Sequence, residues 1–174
     1  MRFLAGFTTS YSAISRTIRL ATRGHVSHAY VVFDDIPIVG HIAFEAAWCG
    51  WRETTRTKVG GSQIELPVDV NVEAAFAQSR DWLNVPYDYA GLFGEAPVML
   101  GRVLGNQKWP NPFAGPHHMF CSEASTLLIQ KFARVPSGLE NLDARTVDPS
   151  YEMESLVLMM RKQSGALSSV ARPS

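Results

Sequence analysis

The run His28-Ala-Tyr-Val-Val-Phe33, followed by Asp34-Asp-Ile-Pro-Ile-Val39 and then His41-Ile-Ala-Phe-Glu45-Ala-Ala-Trp48, decides the fold. β-Branched and aromatic residues fill both flanks and turn formers fill the middle, so the stretch reads as a β-hairpin. Taken as symmetric about Ile36–Pro37, it opposes Val31 to Ile42 and Ala29 to Phe44 on one wholly apolar side. On the other side Tyr30 faces Ala43 and His28 faces Glu45. Directly opposed side chains have Cβ atoms about 4.5–5.5 Å apart, close enough for an imidazole and a carboxylate to share a hydrogen bond. A one-residue slip would turn Val31 and Phe33 to the polar face, so the apolar pattern restricts the register.

Upstream, Ile14, Ile18 and Ala21 recur at helical spacing between Ser10 and Arg23, and Gly24 stands where a helix C-cap belongs. Downstream, Gln63 to Val70 is a third strand. Val72, Ala75, Phe76, Ser79, Trp82 and Leu83 mark the inner face of a second helix, which Pro86 halts. From Tyr87 to Pro116 the chain is rich in Gly and Pro and reads as a long loop, with room for a short helix over Pro97–Leu104; such loops serve as lids or substrate walls. Ser122 to Val135 is amphipathic, with Ala124, Leu127, Leu128, Phe132 and Val135 on one face. Tyr151–Arg161 fits a last strand or short helix, and Gln163–Ser174 reads as a flexible tail. Strands and helices in this order point to an α+β architecture over residues 1–162, an antiparallel sheet packed against helices, rather than a doubly wound sheet.

The chain of 174 residues, 46% hydrophobic and 18% charged, is long enough for one domain with its own core. Sixteen basic residues balance sixteen acidic ones, which gives no footing to a dedicated nucleic-acid binder. Met1 to Ala13 is a poor secretory signal, and no stretch approaches the ~20 apolar residues of a bilayer span. The expectation is a cytoplasmic protein without stable membrane insertion, or one delivered by a phage or secretion system. Cys49 and Cys121 sit in different settings and are expected as free thiols.

A histidine paired with a carboxylate is what a general base requires, because the acid fixes the tautomer and steadies the imidazolium. The plainer alternative is a cross-strand polar pair without chemistry. Cys121 in Phe120-Cys121-Ser-Glu-Ala-Ser opens the amphipathic helix. Unpaired N–H groups and the positive end of the helix dipole lower a thiol pKa there, which suits a nucleophile. The backbone N–H of Cys121 can also donate to an oxyanion. The alternative is a small buried residue at a helix end.

Gly24-His-Val-Ser27-His28-Ala-Tyr-Val-Val, Phe44-Glu45-Ala, Val85-Pro86-Tyr87-Asp88-Tyr89-Ala-Gly91-Leu92 and Phe120-Cys121-Ser122-Glu123 occur in that order. Together they resemble the circularly permuted NlpC-type papain-like superfamily, nearest its YiiX/YaeF-like subgroup, over roughly residues 10–135. The segment Ser15-Arg16-Thr-Ile18-Arg19 resembles the stretch before that histidine. The resemblance implies a papain-like fold, no metal and no cofactor, with thiol attack on an amide, peptide or ester carbonyl through an acyl-enzyme. It carries over Cys121 as nucleophile, His28 as base and Glu45 as the third polar residue. Tyr87 matches a tyrosine beside the site, and with Ser27 and Ser122 is a candidate for binding substrate or oxyanion. The long Pro-rich segment between Tyr87 and Cys121 departs from the pattern. Relatives include cell-wall peptidases, amidases and lipid acyl-transfer enzymes, so a peptide, amide or acyl-lipid substrate fits.

Other readings compete. His25, His28, His41, Cys49, His117, His118 and Cys121 invite a metal, yet only His117/His118 with Cys121 has close spacing and no second cluster mirrors it. His118 is instead the reserve candidate for the base. Trp48, Trp51, Trp82 and Trp109 could form a carbohydrate platform, although such residues usually belong to the core. An acyltransferase or lipid acyl hydrolase on the same fold, and a non-catalytic binding module such as a phage component, complete the alternatives.

Overall fold

Five strands build one antiparallel sheet: β1 (Arg2–Thr9), β2 (His28–Ile36), β3 (Gly40–Ala47), β4 (Gly50–Thr54) and β5 (Ser62–Pro67), in the order β4-β3-β2-β1-β5. The structure is a computed structural model and describes residues 1–10, 13–47, 49–88 and 119–170. Helices α1 (Ala13–Thr22), α2 (Val72–Asp81), α3 (Cys121–Phe132) and α4 (Pro149–Val170) complete the described elements, with short 3-10 turns at Arg56–Lys58 and Ala144–Thr146. The architecture is α+β.

The central strands β1 and β2 are buried on both faces, which explains why they read as near-continuous apolar runs. Phe3, Ala5, Phe7, Ala29, Val31, Phe33, Phe44, Ala46 and Trp51 share a core with Ala75 of α2, Ala124, Leu128 and Ile129 of α3, and Leu156 of α4. Leu4, Tyr30, Val32, Ala43 and Val59 form a smaller cluster on the other face. Phe33 is the aromatic hub, edge-on to Phe3, Phe44 and Phe76 with ring centroids 5.4, 5.7 and 5.0 Å away. Trp51 stacks on Phe44, meets Trp82 edge-on and donates its indole N–H to the Ser79 carbonyl. These two tryptophans are core, not a carbohydrate platform; Trp48 and Trp109 lie outside the described residues.

The hairpin register differs from the expected one by two residues. Tyr30 pairs with Glu45, Val31 with Phe44, Val32 with Ala43 and Phe33 with Ile42. A two-residue shift keeps every side chain on its face, so the apolar side survives intact. The turn chemistry accounts for the shift. Centring on Ile36–Pro37 would set Pro37 third in a four-residue turn, where its ring opposes the preceding residue's helical conformation. The observed pairing of Ile36 with Gly40 makes Pro37 the first of three loop residues, and Gly40, at φ +80°, closes the loop.

Two strands escaped the sequence reading. β1 lies in the segment weighed only as a signal peptide, and β4 follows directly on β3 through a tight turn at Cys49. The third expected strand is β5, ending at Pro67 rather than Val70, and the first helix is shorter than Ser10–Arg23. The last element is a helix. Asp148 Oδ1 accepts from the Ser150 and Tyr151 N–H groups, both 3.0 Å, and Pro149 takes the first helical position, a start signal present in the sequence. That helix continues to Val170, through much of the stretch read as a tail. Among the described residues no helix is long and apolar enough to cross a membrane.

Candidate active site

Cys121 is the first residue of α3 and follows an extended Phe120 (φ −102°, ψ 171°), so its sulfur sits at the unpaired N–H end of the helix. Three contacts fix this first turn. Ser122 Oγ donates to the Val147 carbonyl at 2.6 Å, Ser125 Oγ donates to Glu152 Oε2 at 2.8 Å, and Glu123 Oε2 accepts from the Phe120 N–H at 3.4 Å. Just before the helix, Met119 bridges to Tyr87: its N–H donates to the Pro86 carbonyl at 3.0 Å and its carbonyl accepts from the Asp88 N–H at 3.1 Å. The thiol is buried, 2% exposed.

His28 opens β2, whose Ala29 and Val31 share the core with α3. Its ring neighbours the Cys121 sulfur closely enough for each to shift the other's ionisation. Nε2 lies 2.9 Å from Glu45 Oε2, so Nδ1 is the nitrogen left for the sulfur. Glu45, on β3, pairs with Tyr30, two residues along from His28, and reaches it diagonally across the sheet face. The structure therefore brings the three sequence-selected residues Cys121, His28 and Glu45 together.

A fourth residue went unrecognised. Arg52 on β4 pairs directly with Glu45 and donates twice to its other oxygen, Nη2 at 2.6 Å and Nε at 3.1 Å. Both carboxylate oxygens are thereby used, one by His28 and one by Arg52, in a fork geometry that suits guanidinium. The alternation of buried Trp51 with Arg52 after the Cys49-Gly50 turn carried this signal, once β4 is seen as a strand.

The electrostatics follow from burial and these partners. Burial alone would lower the His28 pKa; the Cys121 sulfur and the Glu45 carboxylate outweigh it and raise the ring to about 10. Burial would raise the Cys121 thiol, yet the His28 imidazolium and the backbone N–H groups of Ala29 and Ser122 bring it below its ordinary value. Glu45 is disfavoured as an anion by burial, but His28 and Arg52 hold its pKa below the usual range. The arrangement stabilises a thiolate–imidazolium pair.

Two other acids lie behind the thiol. Burial pushes Glu123 up to about 7, against the Phe120 N–H and Arg145, whose Nε is 3.4 Å from Oε1. Glu152 is fully buried, its Oε1 has no hydrogen-bond partner among the described residues, and burial drives its pKa well above the carboxylate range.

The remaining candidates fall as follows. Ser27 Oγ is bonded to Ser15 Oγ at 2.5 Å and Ser122 Oγ to Val147, so both hydroxyls tie the scaffold together. Tyr87 is half-buried against the core, beside the bridge that leads to Cys121. His41 pairs with Asp34 near the hairpin turn, the opposite end from His28, and His25 is exposed. Cys49 and Cys121 are both free thiols. His118, His117, the expected helix at 97–104 and the rest of the loop from 89 to 116 lie outside the described residues. An apolar groove of about 560 Å³ between Phe3, Val70, Leu156 and Met159 involves none of Cys121, His28 and Glu45. Comparison of the chain with protein-family models, curated proteins and solved structures finds no match.

Proposed function

We propose that this chain is a cysteine hydrolase that cleaves an amide or peptide bond through a thioacyl-enzyme, on a permuted papain-like fold. One observation carries the reading: a thiol at the first position of α3 neighbours an imidazole whose far nitrogen is 2.9 Å from a buried carboxylate. The order of base before nucleophile in the chain, and the packing of α3 on the strand that bears the base, accord with the fold assignment.

In the proposed cycle the Cys121 thiolate attacks the carbonyl carbon, forming a C–S bond and an oxyanion that the Cys121 N–H can receive. Collapse breaks the C–N bond while the His28 imidazolium passes its proton to the departing amine. Water then attacks the thioester, His28 takes the water's proton, and the acid leaves as the thiolate is restored. Glu45 keeps the ring oriented and charge-balanced throughout, and Arg52 keeps Glu45 in place.

The experiment offers a panel of peptide and amide substrates to the protein and follows mass addition at each cysteine. The expected result is turnover by the native protein, an acyl adduct confined to Cys121, and no turnover by a folded Cys121→Ala variant. Iodoacetamide near neutral pH should also label Cys121 far faster than Cys49. Slow and equal labelling of both thiols, with no acyl adduct from any donor, would favour the non-catalytic binding module instead.

A further inference from the structure

Between Met1 and Phe33 the chain has four arginines and no acidic residue, although the whole is charge-neutral. Arg2 is paired with Asp34 and Asp35, so the excess resides on α1 and the residue that follows it. Arg16, Arg19 and Leu20 follow each other at i, i+3 and i+4, the spacing of one helix face, and Arg23 stands just past the helix end in a left-handed conformation (φ 50°). Arg16 and Arg23 are exposed, Arg19 is half-buried with its guanidinium on the Ser10 and Ser15 carbonyls, and Leu20 is 83% exposed. Among the described residues none of these three guanidiniums has a carboxylate partner.

We propose that this face of α1 docks the protein onto an anionic phospholipid bilayer, lying in the plane of the interface. Charge complementarity selects the partner's sign: two arginines on α1 and a third just past its end, in a protein with no net charge, attract a surface of negative headgroups. Leu20 selects a bilayer over a soluble polyanion. A leucine flanked by arginines gains nothing from phosphates in water, but enters the acyl boundary while the exposed side chains of Arg16 and Arg23 extend to the phosphates. The helix is about 15 Å long, so the contact is peripheral and reversible rather than an insertion. Ser15 on the same helix holds Ser27, the residue before His28, which puts the docking face close in the chain to the candidate site. The proposal is independent of the chemistry at Cys121.

The test is flotation of the full chain with vesicles of phosphatidylcholine alone and of phosphatidylcholine mixed equally with phosphatidylglycerol. Wild type should float only with the anionic vesicles, and less as salt rises. Arg16→Gln with Arg23→Gln should weaken partitioning about thirtyfold, while Arg16→Lys with Arg23→Lys retains it. Leu20→Ser should weaken it about tenfold at unchanged charge. All three side chains are exposed, and matching circular dichroism and melting profiles confirm that the variants fold. Cys121→Ala should float like wild type. Failure of wild type to float with anionic vesicles at low salt overturns the proposal, as does flotation indifferent to Leu20→Ser and the glutamine pair. Retention on heparin without flotation assigns the stripe to a soluble polyanion and equally overturns it.

Discussion

Replacing His28 with alanine removes the partner that holds the Cys121 thiol below its ordinary pKa. The imidazole's rise from 6.5 to about 10, won against burial by the Cys121 sulfur and Glu45, is worth about 5 kcal/mol in favour of the charged ring. Its side chain is 24% exposed, so solvent screens part of that, and Glu45 supplies another part. The remainder is coupling to the sulfur, and the coupling is felt equally by both partners. In His28→Ala the burial of the sulfur acts with less opposition, and the thiol pKa climbs back towards or past its ordinary 9.0. The raised His28 contributes stability that is complete below 6.5 and disappears as pH rises through about 10. The depressed Cys121 contributes stability present above 9.0 and lost as pH falls through its lowered value. The ion pair therefore exists only between the lowered thiol pKa and about 10. The assay is the rate of iodoacetamide alkylation of Cys121 against pH, read by peptide mass spectrometry with Cys49 as the reference in the same sample. An alkylation midpoint that is the same with and without the imidazole would refute the coupling.

Other outcomes follow from the same geometry. Glu45→Gln should reduce kcat/KM about a hundredfold, less than the complete loss in Cys121→Ala, because the residue orients the base and does not carry the proton. Arg52→Met should cost about tenfold by releasing Glu45, with Arg52→Lys restoring part of it, both read in a substrate assay. Glu123, raised by burial from 4.5 to about 7, adds stability that is complete below 4.5 and lost as pH rises through 7. That amounts to about 3 kcal/mol, and Glu123→Gln should flatten this part of the denaturation-versus-pH curve. Gly6→Ala would place a Cβ 2.3 Å from the fully buried ring of Tyr30 and should lower unfolding stability by about 2 kcal/mol, partly recovered by a second change, Tyr30→Leu, in chemical denaturation.

Period and composition were enough to see the β2–β3 hairpin, the α2 and α3 helices and the α+β class, since each of these is a short-range pattern. Face assignment was legible for the same reason: alternation in Val31, Phe33 and Phe44 says which side is buried, however far the strands slide in steps of two. Cys121 at a helix start was legible from the apolar spacing that follows it. β1 was not, because Phe3-Leu-Ala-Gly-Phe7 is buried on both faces and shows no alternation to recognise.

Only the tertiary structure decided how the parts meet. The register was settled by where Pro37 can sit in the turn, and the His28–Glu45 bond became a diagonal contact rather than a direct one. Arg52 entered the site because a third strand aligned it with Glu45, a pairing no local period encodes. The approach of Cys121 to His28 spans most of the chain and depends on α3 packing against β2. Sequence patterns report what each residue does with its near neighbours; ionisation states depend on burial and on partners brought from a distance, and those exist only once the sheet and helices have closed on each other.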